Sequence, residues 1–286
     1  MTGLALVLVL IAALAHSGWN YLIKKAAGGL PFIWLFAGLA SLMYAPVAAW
    51  VILTQRPDLG WKNLLLIILS AILHSLYFTL LELGYRLGDL SVVYPVARGT
   101  GPLLSAAVGI ILLNERPSPL GIAGVILMAV GIAAITGDPR RMQDRQARQA
   151  ILVAALCGVT IASYTVLDKV SVSRLGTPPL VLDWGTNIGR FILLTPFVGR
   201  QRDKIKEQWS LHKREAAGVA FLSPLAYILV LTAMVFTPVS YVAPAREISI
   251  LVGAIAGARL LKEGNVKTRL MGTTAMVVGL IALSLG

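Results

Sequence analysis

Ten apolar runs, each about 20 residues long, follow one another along this chain with little between them. They lie near 2–23, 32–53, 63–85, 91–113, 119–136, 149–168, 179–199, 215–236, 240–261 and 266–285. A run of that length matches the hydrocarbon thickness of a bilayer. Lipid offers the backbone no hydrogen-bond partner, so each run must be helical. Composition agrees: of 286 residues, 57% are hydrophobic and 13% charged, where a soluble domain carries roughly 25% charged residues. The expectation is an all-α integral membrane protein of ten transmembrane helices. The first run, Leu4 to Tyr21, lacks a basic leader segment and reads as a first span.

The runs are organised as a repeat. Shifted by 148 residues without a gap, Ala97 to Ile132 matches the later chain at 12 of 36 positions. Arg98 falls on Arg246, Glu115 on Glu263, and Gly109, Gly124 and Gly131 on Gly257, Gly272 and Gly279. Further back, Pro31 falls on Pro179, and Trp19 to Lys24 resembles Tyr164 to Lys169 at a slightly shorter offset. Two copies result, 1–137 and 149–286, with a basic linker at 138–148. Five spans per copy is odd, so the second copy enters the membrane from the opposite side, and such inverted repeats place a transporter's substrate where the copies meet.

Several stretches carry a family resemblance: AHSGWNYLIKKA at Ala15 to Ala26, GDLSVVYPVARGTGPLLSA at Gly88 to Ala106, LNERPSPLGIAGVILMAVGI at Leu113 to Ile132, and TPVSYVAPAREISILVGA at Thr237 to Ala254. The chain resembles the EamA-type carriers of the drug/metabolite transporter superfamily. A loop Glu followed by a glycine-bearing helix, after both Leu113 and Leu261, looks like that family's repeated ending. The resemblance implies ten helices, a central cavity lined by the first four helices of each half, and peripheral fifth and tenth helices. Relatives carry amino acids, sugar phosphates, nucleotide sugars, drugs and other metabolites, and one similar branch is associated with phosphonate utilisation.

The polar residues inside spans are the candidates for chemistry. Arg98 and Arg246 each stand about seven residues into a span, on the order of 10 Å deep, where an Arg costs at least about 2.5 kcal/mol and needs a partner. They form a pseudo-symmetric pair, either bridged to Glu82 or Asp183 or open to a carboxylate, phosphate or phosphonate. Glu247 is set aside as a partner because consecutive helical residues diverge by roughly 100°. His16 and Asn20 lie one turn apart with Trp19 beside them, and His74 shares a face with Glu82 and Tyr77; these either line an aqueous cavity or hydrogen-bond neighbouring helices. Asp183, Asn187 and Arg190 form a stripe on the seventh span, and Tyr94, Tyr227 and Tyr241 complete the set. Small residues every fourth position, Gly101, Ser105, Gly109 and Ser249, Gly253, Gly257, mark close helix packing. Pro95, Pro102 and Pro244 are expected to bend their helices.

No metal-ligand cluster, phosphate loop or nucleophile motif stands out, so no cofactor or metal is expected and the chain is read as a transporter rather than an enzyme. Its partners are a small anionic or zwitterionic solute, the lipid bilayer and protons, the last carried by Glu82, His16 or His74 in place of a sodium cage. The alternatives are a membrane-embedded enzyme using His74 or His16 with Glu82, or a non-transporting scaffold. The net charge of +12 lies in short clusters between spans, which argues for membrane orientation over nucleic-acid binding. Loops after odd-numbered spans hold 14 Lys and Arg, or 17 with Arg259, Lys267 and Arg269 at the span ends that flank the last of them, against 5 after even-numbered ones. That asymmetry places both termini outside the cytoplasm in a bacterial inner membrane, opposite to the orientation common in the family. Cys157 has no partner for a disulfide and reads as a small packing residue.

Overall fold

In the computed structural model of the chain, residues 1–87, 90–136, 145–248 and 266–286 are described. They form ten helices: α1 Gly3–Ala26, α2 Gly29–Gln55, α3 Trp61–Leu87, α4 Leu90–Leu112, α5 Pro119–Thr136, α6 Arg145–Ser173, α7 Pro179–Val198, α8 Arg202–Phe236, α9 Val239–Arg246 and α10 Val266–Leu285. No strand occurs among the described residues. Stretches of α1, α2, α3, α6 and α8 are long and apolar enough to cross a membrane by length and composition, and shorter apolar stretches occupy α4, α5 and α10. The outward faces carry large apolar side chains such as Leu42, Trp50, Leu53, Ile111 and Phe197, all more than 60% exposed. In water that surface would drive aggregation; in lipid it is the ordinary exterior.

Packing follows the repeat. Helix α1 lies on α8 as its equivalent α6 lies on α3, and α2 meets α8 as α7 meets α3. The equivalent helices α2 and α7, α4 and α9, and α5 and α10 pack on each other. The α5–α10 seam shows the direction. A Cβ on Gly124 would meet the Gly279 carbonyl at 2.7 Å, and one on Gly131 would meet the Gly272 carbonyl at 2.7 Å. Position rises along α5 as it falls along α10, so the two helices run antiparallel and exchange equivalent glycines. The repeated glycines are therefore where two backbones touch, the arrangement that lets helices associate in an apolar solvent.

The repeated loop glutamate has a structural reason. Oε1 and Oε2 of Glu115 accept the backbone N–H groups of Val239 and Ser240 at 2.7 and 2.9 Å, which caps the start of α9. The first N–H groups of a helix have no partner within it, and a carboxylate suits both their geometry and the helix dipole. Its repeat partner Glu263 lies outside the described residues, as do Ser249, Gly253 and Gly257.

Two boundaries differ from the sequence expectation. The stretch 200–214, expected as a loop, is helical from Arg202, and α8 runs on to Phe236 with a break at His212, where φ is −128° and ψ 25°. Its first segment exposes charges yet seats Ile205 against the core, so one apolar anchor and good helix formers outweigh the polar composition. Helix α9 ends at Arg246, and Glu247 follows with φ −73° and ψ −1°. The remainder of the expected ninth span falls largely outside the described residues.

Candidate functional site

Between the two halves lies a cavity lined by residues of α1, α3, α4, α6, α7, α8 and α9. Ten expected site residues line it: His16, Trp19, His74, Tyr77, Arg98, Asp183, Asn187, Arg190, Tyr227 and Arg246. Phe78, Tyr164 and Ser223 complete the wall. All but a few of these residues are buried, so the site is a polar cavity within an apolar bundle.

Its centre is ionic. Glu247, completely buried, holds Arg98 Nε at 3.3 Å with Oε2 and Arg246 Nε at 3.3 Å with Oε1. The expectation that the consecutive Arg246 and Glu247 do not pair is corrected: Arg246 Nε donates to Glu247 Oε1 at the C-terminal end of α9. Among the described residues Arg98 pairs with Glu247 and not with Asp183; the other expected partner, Glu82, has its side chain outside them. Under the repeat, Glu247 falls on Gly99, so two symmetric arginines share one glutamate that only the second half supplies. Arg98 Nη2 also faces His16 Nε2. Trp19 Nε1 donates to His16 Nδ1 at 3.2 Å. Trp19 and Arg98 thus present donors to the two ring nitrogens of His16, of which a neutral imidazole accepts at one.

Arg190 is the third guanidinium. It is 4% exposed, lies 4.8 Å from the centroid of Phe78 and 5.9 Å from that of Phe36, and its Nε and Nη1 have no hydrogen-bond partner among the described residues. Stacking on two rings satisfies its face and leaves its edge to bind. Nη2 of Arg246 is likewise without a partner. Asp183, on the same helix, accepts from Asn187 Nδ2 at 2.9 Å.

The opposite wall is aromatic and hydroxylic. His74 stacks on Tyr164 at 3.9 Å, and its Nδ1 bonds the Ser70 carbonyl at 2.9 Å. Tyr227 donates to Asp168 at 2.6 Å.

Two expected residues are not in the cavity. Asn20 donates to the His16 carbonyl at 2.7 Å and is occupied there. Tyr241 turns toward α5, where its hydroxyl accepts the Ser118 N–H at 2.9 Å. The side chains of Glu82 and Tyr94 lie outside the described residues. Sequence reasoning passed over Tyr164, Phe78, Ser223, Asp168 and the bridging role of Glu247. One signal was available: Tyr164 falls on Trp19 in the Trp19–Lys24 likeness, and Asp168 is one turn further along.

A polar, arginine-rich chamber where two structurally equivalent helical halves meet defines a polytopic membrane protein of the solute-carrier kind. The chain belongs to the EamA-like transporter family, whose profile matches it twice, at residues 3–137 and 148–285. It is thus a multi-pass membrane protein of a transporter family of the drug/metabolite type. A solved structure described only as the crystal structure of a protein superposes with a TM-score of 0.73 at 16% identity, covering 98% of each chain, which shows a shared fold. No curated protein matches the chain.

Proposed function

We propose that the protein is a secondary transporter that carries a small organic anion or zwitterion by alternating access between its two halves. The observation that supports this best is the convergence of Arg98, Arg190 and Arg246 on one buried cavity, with a single glutamate shared by two of them. A buried guanidinium edge without a partner is a costly group that an incoming carboxylate, phosphate or phosphonate satisfies. Asp183 and the aromatic wall would receive the ammonium of an amino-acid-like or aminophosphonate solute. In this reading all ten helices cross the membrane, the halves are inverted, and rocking about the α2–α7 and α5–α10 seams opens the chamber to each side in turn. The enzyme alternative gains nothing from the geometry, because His16 faces donors at both nitrogens.

A thermal-shift screen of the purified protein against carboxylates, phosphates and phosphonates, followed by uptake into proteoliposomes, tests the reading, since a ligand of the folded state raises its apparent stability. For the solute so found, Arg98→Lys and Arg246→Lys retain charge but lose the two-pronged contact. Each is expected to raise apparent KM roughly ten- to hundredfold with the protein still folded. Unchanged KM in both would defeat the assignment.

Orientation is proposed from the charge asymmetry between loops, with the basic segment at 200–214 in the cytoplasm. Arg202 is exposed. Arg202→Cys, on a Cys157→Ala background, should therefore resist an impermeant maleimide on intact cells and react after lysis. Labelling of intact cells would reverse the topology.

A further inference from the structure

Asp168 takes no part in the anion site. It is completely buried on α6, one turn beyond Tyr164. Tyr227 donates to its Oδ2 at 2.6 Å, while Oδ1 has no hydrogen-bond partner among the described residues. Among those residues no cation stands within ion-pair distance of it. Neighbouring Lys169 points elsewhere, its ammonium donating to the carbonyls of Met234 and Thr237 at 2.6 and 2.9 Å, where it caps the end of α8.

The charged groups on the helices around α6 do not change this. Arg98 of α4 and Arg246 of α9 are engaged by Glu247. Arg190 of α7 stacks on Phe78, and Asp183 beside it carries the same sign as Asp168. His74 of α3 directs Nδ1 to the Ser70 carbonyl. A carboxylate sealed in an apolar bundle without a counter-ion is far costlier than the neutral acid. The neutral acid keeps the Tyr227 hydrogen bond, accepted by its carbonyl oxygen.

The position joins two polar regions. On one side Tyr227 lines the cavity. On the other, Ser171 lies three residues along the same helix and donates to Thr177 at 2.8 Å, and Asn63 donates to Thr177 at 2.9 Å, a chain of buried groups leading to the α6–α7 turn.

We propose that Asp168 is a proton-binding site of this protein, neutral in the conformation described, that exchanges its proton with the cavity through the Tyr227 hydroxyl. In uptake the Tyr227 O–H proton passes to the carboxylate while the phenol oxygen takes a proton from the cavity; release runs in reverse, and the net change is one proton bound or released. The meaning of this for transport rests on the carrier reading, in which Asp168 replaces Glu82, His16 and His74 as the coupling group. The existence of the site does not depend on that reading.

Infrared spectra of the full-length protein in lipid nanodiscs at neutral pH, in H₂O and D₂O, test it without any solute. The expected result is a carboxylic-acid C=O band that shifts in D₂O, vanishes in Asp168→Asn and persists in Asp183→Asn. Tyr227→Phe should move the band to higher frequency, because a carbonyl that accepts fewer hydrogen bonds vibrates faster. Should Asp168→Asn fail to fold, Asp168→Glu should keep a protonated band at a changed frequency. Absence of the band in the native protein, its survival in Asp168→Asn, or its loss in Asp183→Asn would each overturn the proposal. Failure of uptake with the band intact would strike the carrier reading alone.

Discussion

Glu247→Gln is expected to lower the free energy of unfolding by about 3–5 kcal/mol, the cost of leaving buried charges without their partner. The glutamate is completely buried and is the counter-ion of two arginines that are themselves 3% exposed on their side chains. Glutamine fills the same volume but cannot neutralise either guanidinium, so the negative charge between two arginines is lost from a low-dielectric site. Two further measurements separate charge from shape. Millimolar inorganic phosphate should restore part of the lost stability, because an anion that binds only the folded state shifts the equilibrium toward it. The triple replacement Arg98→Met, Glu247→Leu, Arg246→Met removes all three charges together and should be close to native in stability while losing anion binding. Denaturant unfolding in detergent or thermal scans would report each. A Glu247→Gln protein within about 1 kcal/mol of native would mean that the triad contributes little to the folded state.

The second large effect is expected at the α5–α10 seam. In an unconstrained helix, Gly→Ala stabilises by about 1 kcal/mol through helix propensity. At Gly124 the added methyl would stand 2.7 Å from the Gly279 carbonyl and 2.9 Å from the Leu283 backbone nitrogen. Backbone cannot rotate aside, so overpacking of about 1–3 kcal/mol for a single methyl outweighs the propensity gain. Gly124→Leu extends the clash and should separate the two helices, with a loss of about 3 kcal/mol or more. Gly131, against the Gly272 carbonyl at 2.7 Å, should behave alike, whereas Gly3, with open space around its Cβ position, should tolerate Ala. Thermal stability and protease cleavage within 266–286 would distinguish the cases. A native-like Gly124→Leu protein would show that the seam is not a rigid contact.

How these sites became visible depends on which physical constraint each obeys. The helical runs were legible because lipid forces every backbone group into a helix, and the repeat was legible because Arg98, Glu115 and the glycines recur at one offset. Arg98, Arg190, Arg246 and Asp183 announced themselves as site candidates because charge inside a span is too costly to be incidental. Their partners were not legible. Glu247 was set aside on a rule for side-chain directions along a helix, yet its carboxylate lies 3.3 Å from both Arg246 and Arg98. Tyr241 and Asn20 had the chemistry of cavity residues, yet one answers the Ser118 N–H and the other its own helix. Asp168 was not singled out by the sequence, and only its surroundings, a hydroxyl donor and no ion-pair partner among the described residues, set it apart. The segment at 202–211 read as a loop by polarity and is held as helix by one side of it. The sequence by itself determined which groups are expensive to bury and that two copies of one helical unit bury them. The tertiary structure alone decided which groups meet, because a pairing depends on distances of a few ångströms between helices far apart in the chain, and no periodicity within one helix carries that information.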